Sequence, residues 1–175
     1  MSIKTIFLDR DGVINKEVGY LSRINDFEFI NGIFEVCKYL INLDYKIIII
    51  TNQSGISRGL YTENDFKILN EWMLTQFKKN SVSILDVFYC PHLLDSNCIC
   101  RKPKPGMLHD AQNKYNIDMK NSWMIGDKET DIIAANCSGI VNTILVKSGH
   151  NINEIDSNAK YIIESVYESS KVILN

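Results

Sequence analysis

No apolar run in this chain approaches the ~20 residues that a helical membrane span needs. The longest purely aliphatic stretch is Ile47 to Ile50. The N-terminus meets a carboxylate at Asp9, too early for a secretory signal. A cytoplasmic protein with no membrane partner is therefore expected. Positive charge is not in excess: 19 Lys and Arg stand against 21 Asp and Glu, for a formal net charge of −2. That removes the basic stripe on which nucleic-acid binders rely. There is no internal repeat, low-complexity segment or linker, so residues 1–175 read as one domain of ordinary size. No self-complementary surface is legible, which points to a monomer.

What is present is alternation. Ile3 to Leu8 reads as a buried strand, and Ile33, Val36, Cys37, Leu40 and Ile41 recur at helical spacing. Four consecutive isoleucines, Ile47 to Ile50, have the β-branched character of a central parallel strand. Thr62 and Asp65 have capping-box spacing, with Asp in place of the usual Glu or Gln. The helix they open carries Phe66, Leu69, Met73 and Phe77 on one face. Further strands are expected at Leu85 to Tyr89, Ser122 to Ile125, Asn142 to Val146 and Tyr161 to Glu164. Helices are expected after Pro105, from Glu129 to near Gly139, and along the tail. The fold class is α/β, a doubly wound and mainly parallel sheet. Ligands in such folds sit outside the carboxyl ends of the strands.

Four polar clusters fall at or after those ends. The first is Asp9-Arg-Asp11-Gly-Val13. Residues two apart in extended chain share a face, so Asp9 and Asp11 should point together, with Arg10 turned away. Two close carboxylates repel unless a cation or proton lies between them, and magnesium suits hard oxygens. The second, Thr51-Asn52-Gln53-Ser54-Gly55, offers a hydroxyl, amides and backbone N–H groups for phosphate oxygens. The third, Arg101-Lys102-Pro-Lys104-Pro-Gly106, sets three cations beside a helix start. The fourth is Gly126-Asp127-Lys128-Glu129-Thr130-Asp131; Asp127 could complete a magnesium site, whereas Asp131 reads better as a cap that orients the loop. Taken singly, each cluster also reads as an ordinary polar turn.

A fifth feature is a metal-ligand cluster. Cys90-Pro-His92 is followed, after five intervening residues, by Cys98-Ile-Cys100. Three thiolates and an imidazole can complete a closed tetrahedral zinc site, which would be structural. Cys37 and Cys137 are assigned to the core, and His109 and His150 are not taken as ligands.

The order of the clusters is more telling than any one of them. An Asp pair, a Thr, a Lys and an Asp along one sheet edge resemble the haloacid dehalogenase (HAD) phosphatase superfamily over nearly the whole chain. The resemblance implies Asp9 as the nucleophile and Asp11 as the acid and then base. It implies that Thr51 and Lys102 hold the transferring phosphoryl group. Asp9, the backbone carbonyl of Asp11 and Asp127 would be the Mg2+ ligands. No long insertion separates the clusters, so no large cap domain is expected, and the loops with the zinc segment must shape the pocket.

The zinc loop at about 90–100 resembles that of the D-glycero-D-manno-heptose 1,7-bisphosphate phosphatases and of the related histidinol-phosphate phosphatases. Gly19-Tyr20, the Thr51 to Gly59 stretch, Arg101 to Met107 and Gly126 to Lys128 lean towards the heptose enzymes. The short His92-to-Cys98 spacing leans towards the histidinol-phosphate enzymes. The resemblance implies substrate contacts from Glu17, Val18, Gly19, Tyr20, Asn52, Gln53, Ser54, Arg101 and Lys128. A phospho-Asp receiver domain is the alternative of another class; the Asp-x-Asp pair and the zinc loop disfavour it.

Overall fold

The computed structural model describes residues 2–174. Six strands form one parallel sheet: β1 (Thr5–Leu8), β2 (Lys46–Asn52), β3 (Ile84–Cys90), β4 (Trp123–Gly126), β5 (Asn142–Val146) and β6 (Tyr161–Ile163). Their spatial order is β3-β2-β1-β4-β5-β6. The chain winds outward from β1 through β2 to β3, then returns to the other side of β1 with β4. The strand order therefore reverses between β1 and β4, and a crevice opens outside their carboxyl ends.

The central strands are apolar on both faces because helices cover both. Ile6, Leu8, Ile47, Ile49 and Ile125 point into one core. There they meet Val36, Cys37 and Leu40 of α1 (Ile33–Asn42) and Leu69, Met73 and Phe77 of α2 (Glu63–Lys79). Their alternates Phe7, Ile48, Ile50 and Met124 point into the other core. That core receives Met107, Leu108 and Ala111 from α3 (Gly106–Tyr115) and Ala134 and Ala135 from α4 (Glu129–Cys137). An unbroken isoleucine run is thus a period-two pattern with two dry sides.

The capping box at α2 forms as its spacing predicts. Asp65 N–H donates to Thr62 Oγ1 at 3.1 Å, and Thr62 N–H donates to Asp65 Oδ2 at 2.8 Å. The tail is helical as expected, a 3-10 turn (Val166–Glu168) followed by a single helical turn, α5 (Ser169–Val172). One expectation is corrected. Cys37 is fully buried as assigned, but Cys137, the last residue of α4, is exposed. α4 packs through Ile132, Ala134 and Ala135, and Cys137, two residues further on, points off that face. No helix among the described residues is long and apolar enough to cross a membrane.

Candidate active site

The carboxyl ends of β1, β2 and β4, with the segment after β3, surround a cavity of about 400 Å³. Each predicted cluster reaches it. Asp9, Asp11, Glu17, Gly19, Tyr20, Asn52, Gln53, Ser54, Arg101, Lys102 and Lys128 line its wall. Thr51 lies beneath, fully buried, and its Oγ1 accepts from Gln53 Nε2 at 2.8 Å. Asp127 is buried and lines not this cavity but an adjoining one of about 390 Å³, which shares Lys128, Thr130 and His150 with it. Val18 is exposed and lies outside the wall.

The floor is ionic. Lys102 Nζ lies 2.8 Å from Asp9 Oδ1, 2.7 Å from Asp131 Oδ1 and 2.7 Å from the Ile50 carbonyl. All three side chains are buried. Burial alone would lower the lysine, but the Asp131 and Asp9 carboxylates outweigh it and push its pKa up. It is a fixed cation. The expectation that Asp131 only caps is corrected: Oδ2 does accept from the Lys128 N–H at 3.1 Å, yet Oδ1 holds Lys102.

Even with Lys102 present, the floor carries too much negative charge for its depth. Asp9 is pushed up to about 6, first by burial and then by Asp131 and Asp11, against the pull of Lys102. Asp127 is pushed up to about 9, by burial and then by Asp9 and Asp131. Oxygens of Asp9, Asp127 and Asp131 lie within 4.8 Å of one another. Asp127 Oδ1 is buried without a hydrogen-bond partner. A buried, unpaired carboxylate oxygen beside two others is a place for a hard divalent cation. Gly12, at φ 85°, makes room for it. A Cβ there would stand 2.3 Å from Asp127 Oδ2, so only glycine lets the β1 loop turn beside that carboxylate.

Arg10 does not turn away, contrary to the extended-strand argument. It is buried, and its Nε and Nη2 donate to Asp11, Nη2 at 2.9 Å to each oxygen. The chain leaves extended geometry immediately after Asp9, which frees Arg10 to fold back on its neighbour. Burial would raise the Asp11 carboxyl, but Arg10, Asn15 and Gln53 together hold it below the usual range.

The cysteine segment packs at the rim. Cys90 Sγ is 3.7 Å from Cys98 Sγ and 3.4 Å from His92 Nδ1; His92 Nδ1 is 3.2 Å from Cys100 Sγ. All four donor atoms fall within 4.8 Å of one another, and all the cysteines are free. Tetrahedral zinc with ~2.3 Å bonds to sulfur requires ligand spacings of this size. The Cys98 thiol drops to about 6: burial opposes this, but the Ser96 hydroxyl, the Arg101 backbone and the neighbouring thiols outweigh it. The segment also aims the third cluster, since Arg101 Nη1 donates to the His92 carbonyl at 3.1 Å.

Sequence reasoning missed Arg10, Arg58, Tyr61, Leu94, Thr130 and His150 as wall residues. Arg58 carried a signal, as it follows the Thr51 loop on the same edge. His150 was set aside, yet its Nδ1 lies 2.6 Å from Asp127 Oδ2. It follows β5, whose carboxyl end faces the same crevice, and that position was the available clue.

Similarity to known proteins agrees with this geometry. A family model described as "HAD-hyrolase-like" matches residues 99–169. The chain is 46% identical to a D-glycero-alpha-D-manno-heptose-1,7-bisphosphate 7-phosphatase of Photorhabdus laumondii, covering 98% of this chain and 97% of the relative. A phosphatase of the same name from Campylobacter jejuni is 49% identical over 83% of this chain and 84% of its own. The D-glycero-beta-D-manno-heptose-1,7-bisphosphate 7-phosphatase of Vibrio cholerae is 41% identical over 99% and 98%. Among solved structures, the D,D-heptose 1,7-bisphosphate phosphatase of B. bronchiseptica, complexed with magnesium and phosphate, superposes with a TM-score of 0.86. It is 27% identical, with 97% of each chain covered. The protein is thus a phosphoric monoester hydrolase with a HAD-like fold. Within that class, the chain belongs to the heptose 1,7-bisphosphate phosphatase family.

Proposed function

We propose that this protein removes the 7-phosphate of D-glycero-D-manno-heptose 1,7-bisphosphate, with Mg2+ as cofactor, through a phosphorylated Asp9. The observation that carries the reading is the floor of the cavity: Asp9 bonded to a buried lysine, beside an unpaired oxygen of Asp127. Asp9, the backbone carbonyl of Asp11 and Asp127 would hold the magnesium ion, which supplies charge neutralisation when bound. Lys102 keeps Asp9 ionised and aimed, and Thr51 with Lys102 meets the phosphoryl oxygens as charge spreads over them. Asp9 attacks phosphorus, and the sugar oxygen leaves with a proton from Asp11. The approach of a phosphate dianion favours the protonated form of Asp11 needed for that step. Asp11, then a carboxylate held by Arg10, takes a proton from the water that cleaves the aspartyl phosphate.

The retained phosphate at C1 finds cations at the wall. Arg101 and Lys128 line the cavity, and Glu17, Gly19, Tyr20 and Asn52 to Ser54 supply contacts to the sugar. A forked guanidinium suits a phosphate that must be held but not cleaved. The substrate is a small molecule, in keeping with a net charge of −2, and a reducing cytoplasm suits the thiolates.

Phosphate release in the presence of Mg2+ tests the reading, with heptose 1,7-bisphosphate (both anomers) set against histidinol phosphate at equal concentration. A large kcat/KM advantage for the bisphosphate is expected. An advantage for histidinol phosphate would refute the substrate while leaving the chemistry in place.

The zinc cluster is proposed as structural. Cys98→Ser should reduce bound zinc, measured by atomic absorption, and lower the unfolding midpoint. Its largest kinetic effect should be on KM, because the loop aims Arg101 rather than Asp9. Zinc near zero in protein purified without chelator would refute the assignment.

A further inference from the structure

We propose that His150 is a positioning residue for Asp127: its Nδ1–H fixes one carboxylate oxygen and so turns the other towards the cation. The inference rests on the magnesium reading above. His150 Nδ1 lies 2.6 Å from Asp127 Oδ2, while Oδ1 of the same carboxylate is buried and unpaired. The two oxygens are therefore divided between two tasks. A carboxylate tied at one oxygen cannot rotate freely about its last bond, so the free oxygen is held in place before the ion arrives.

The segment that carries His150 is built for this contact. Ser148 Oγ donates to the Gly12 carbonyl at 2.7 Å, which ties the β5 loop to the β1 loop. Gly149 is pressed onto the carboxylate; a Cβ there would lie 2.0 Å from Asp127 Oδ2. Lys147, just before, pairs with Glu154 at 2.7 Å and Glu164 at 3.0 Å. Further on, Ser157 Oγ and the Asn158 N–H donate to Glu129 at 2.9 and 2.8 Å. The loop is pinned on both sides of the histidine. The second ring nitrogen faces the cavity, 3.9 Å from Glu17 Oε2.

Mn2+ binding, followed by electron paramagnetic resonance on wild type, His150→Ala and His150→Asn, tests the inference without turnover. Removing an outer partner of a metal ligand typically weakens binding by ~10–100-fold. His150→Ala should show a loss of that size. His150→Asn should regain most of it, because the amide can donate from a position close to Nδ1. In assays, kcat of His150→Ala should recover at saturating Mg2+ with KM for the sugar little changed. Unchanged Mn2+ affinity in His150→Ala would overturn the proposal. So would an equal loss in the asparagine variant, which would make the ring itself a ligand through the Glu17, Asp127 and His150 cluster. A raised sugar KM with unaltered Mn2+ affinity would make His150 a substrate contact instead, again overturning it. Wild type that binds no Mn2+ would overturn the magnesium reading and this proposal with it.

Discussion

Asp9→Asn is expected to abolish turnover, with kcat reduced on the order of 10⁴-fold or more, and to leave the fold intact. The amide keeps the shape of the carboxylate but cannot form the acyl phosphate. Lys102 retains its bonds to Asp131 and the Ile50 carbonyl, so the floor does not collapse. The melting temperature should move by no more than a few degrees. Single-turnover kinetics and a thermal melt make the comparison. Activity within tenfold of wild type would remove Asp9 from the role of nucleophile. A phosphorylated wild-type protein that persisted for hours would instead favour a receiver-type signalling domain. Asp11, held as a carboxylate by Arg10, is placed to hasten the hydrolysis that such a domain avoids.

Lys102→Met should damage both activity and stability. The methionine fills similar space without charge, so Asp9 and Asp131 lose the cation that both contact. Breaking a buried ion pair from one side costs about 3–5 kcal/mol, because the stranded charges remain. Urea denaturation would measure it. The deficit has a pH signature. Without the lysine, the stranded carboxylates have raised pKa values in the folded state. The native protein then binds more protons than the unfolded chain, and stability rises as pH falls towards the ordinary carboxylate range. Wild type already has Asp9 raised to about 6 and Asp127 to about 9, so it too should gain stability between neutral pH and about pH 5. The variant should gain more over that window and so recover part of its deficit. In catalysis, loss of a charge-stabilising donor typically costs ~10²–10³-fold in kcat. A variant as stable as wild type at neutral pH would mean that Lys102 does not carry the floor.

The two variants act on neighbouring atoms but differ in kind. Asp9→Asn removes the reacting group and one charge of the floor but leaves Lys102 paired with Asp131; Lys102→Met removes the cation that both carboxylates contact and misdirects the reacting group. Their effects on kcat should not add, since both residues serve the same step.

The amino-acid sequence by itself determined the strands, because their signals are local. The isoleucine run, the capping pair at Thr62 and Asp65, and the fifth strand at Asn142 to Val146 need only neighbours a few residues away. It also determined which loops meet. Once the strands are parallel, their carboxyl ends share an edge, and four polar clusters at or after those ends must converge. The four zinc-type ligands were legible for a similar reason, lying within one short loop. Tertiary structure decided what faces what. Lys102 reaches Asp9 across 93 residues of sequence, and Asp131 joins them although its spacing reads as a cap. Arg10 returns to Asp11 because the chain turns immediately after β1. His150 meets Asp127 only because two glycines, Gly12 and Gly149, let two loops close on one carboxylate. Periodicity carries no information about such contacts. They are fixed by the cost of burying charge, which must be met by whichever partner the folded chain brings within ~3 Å.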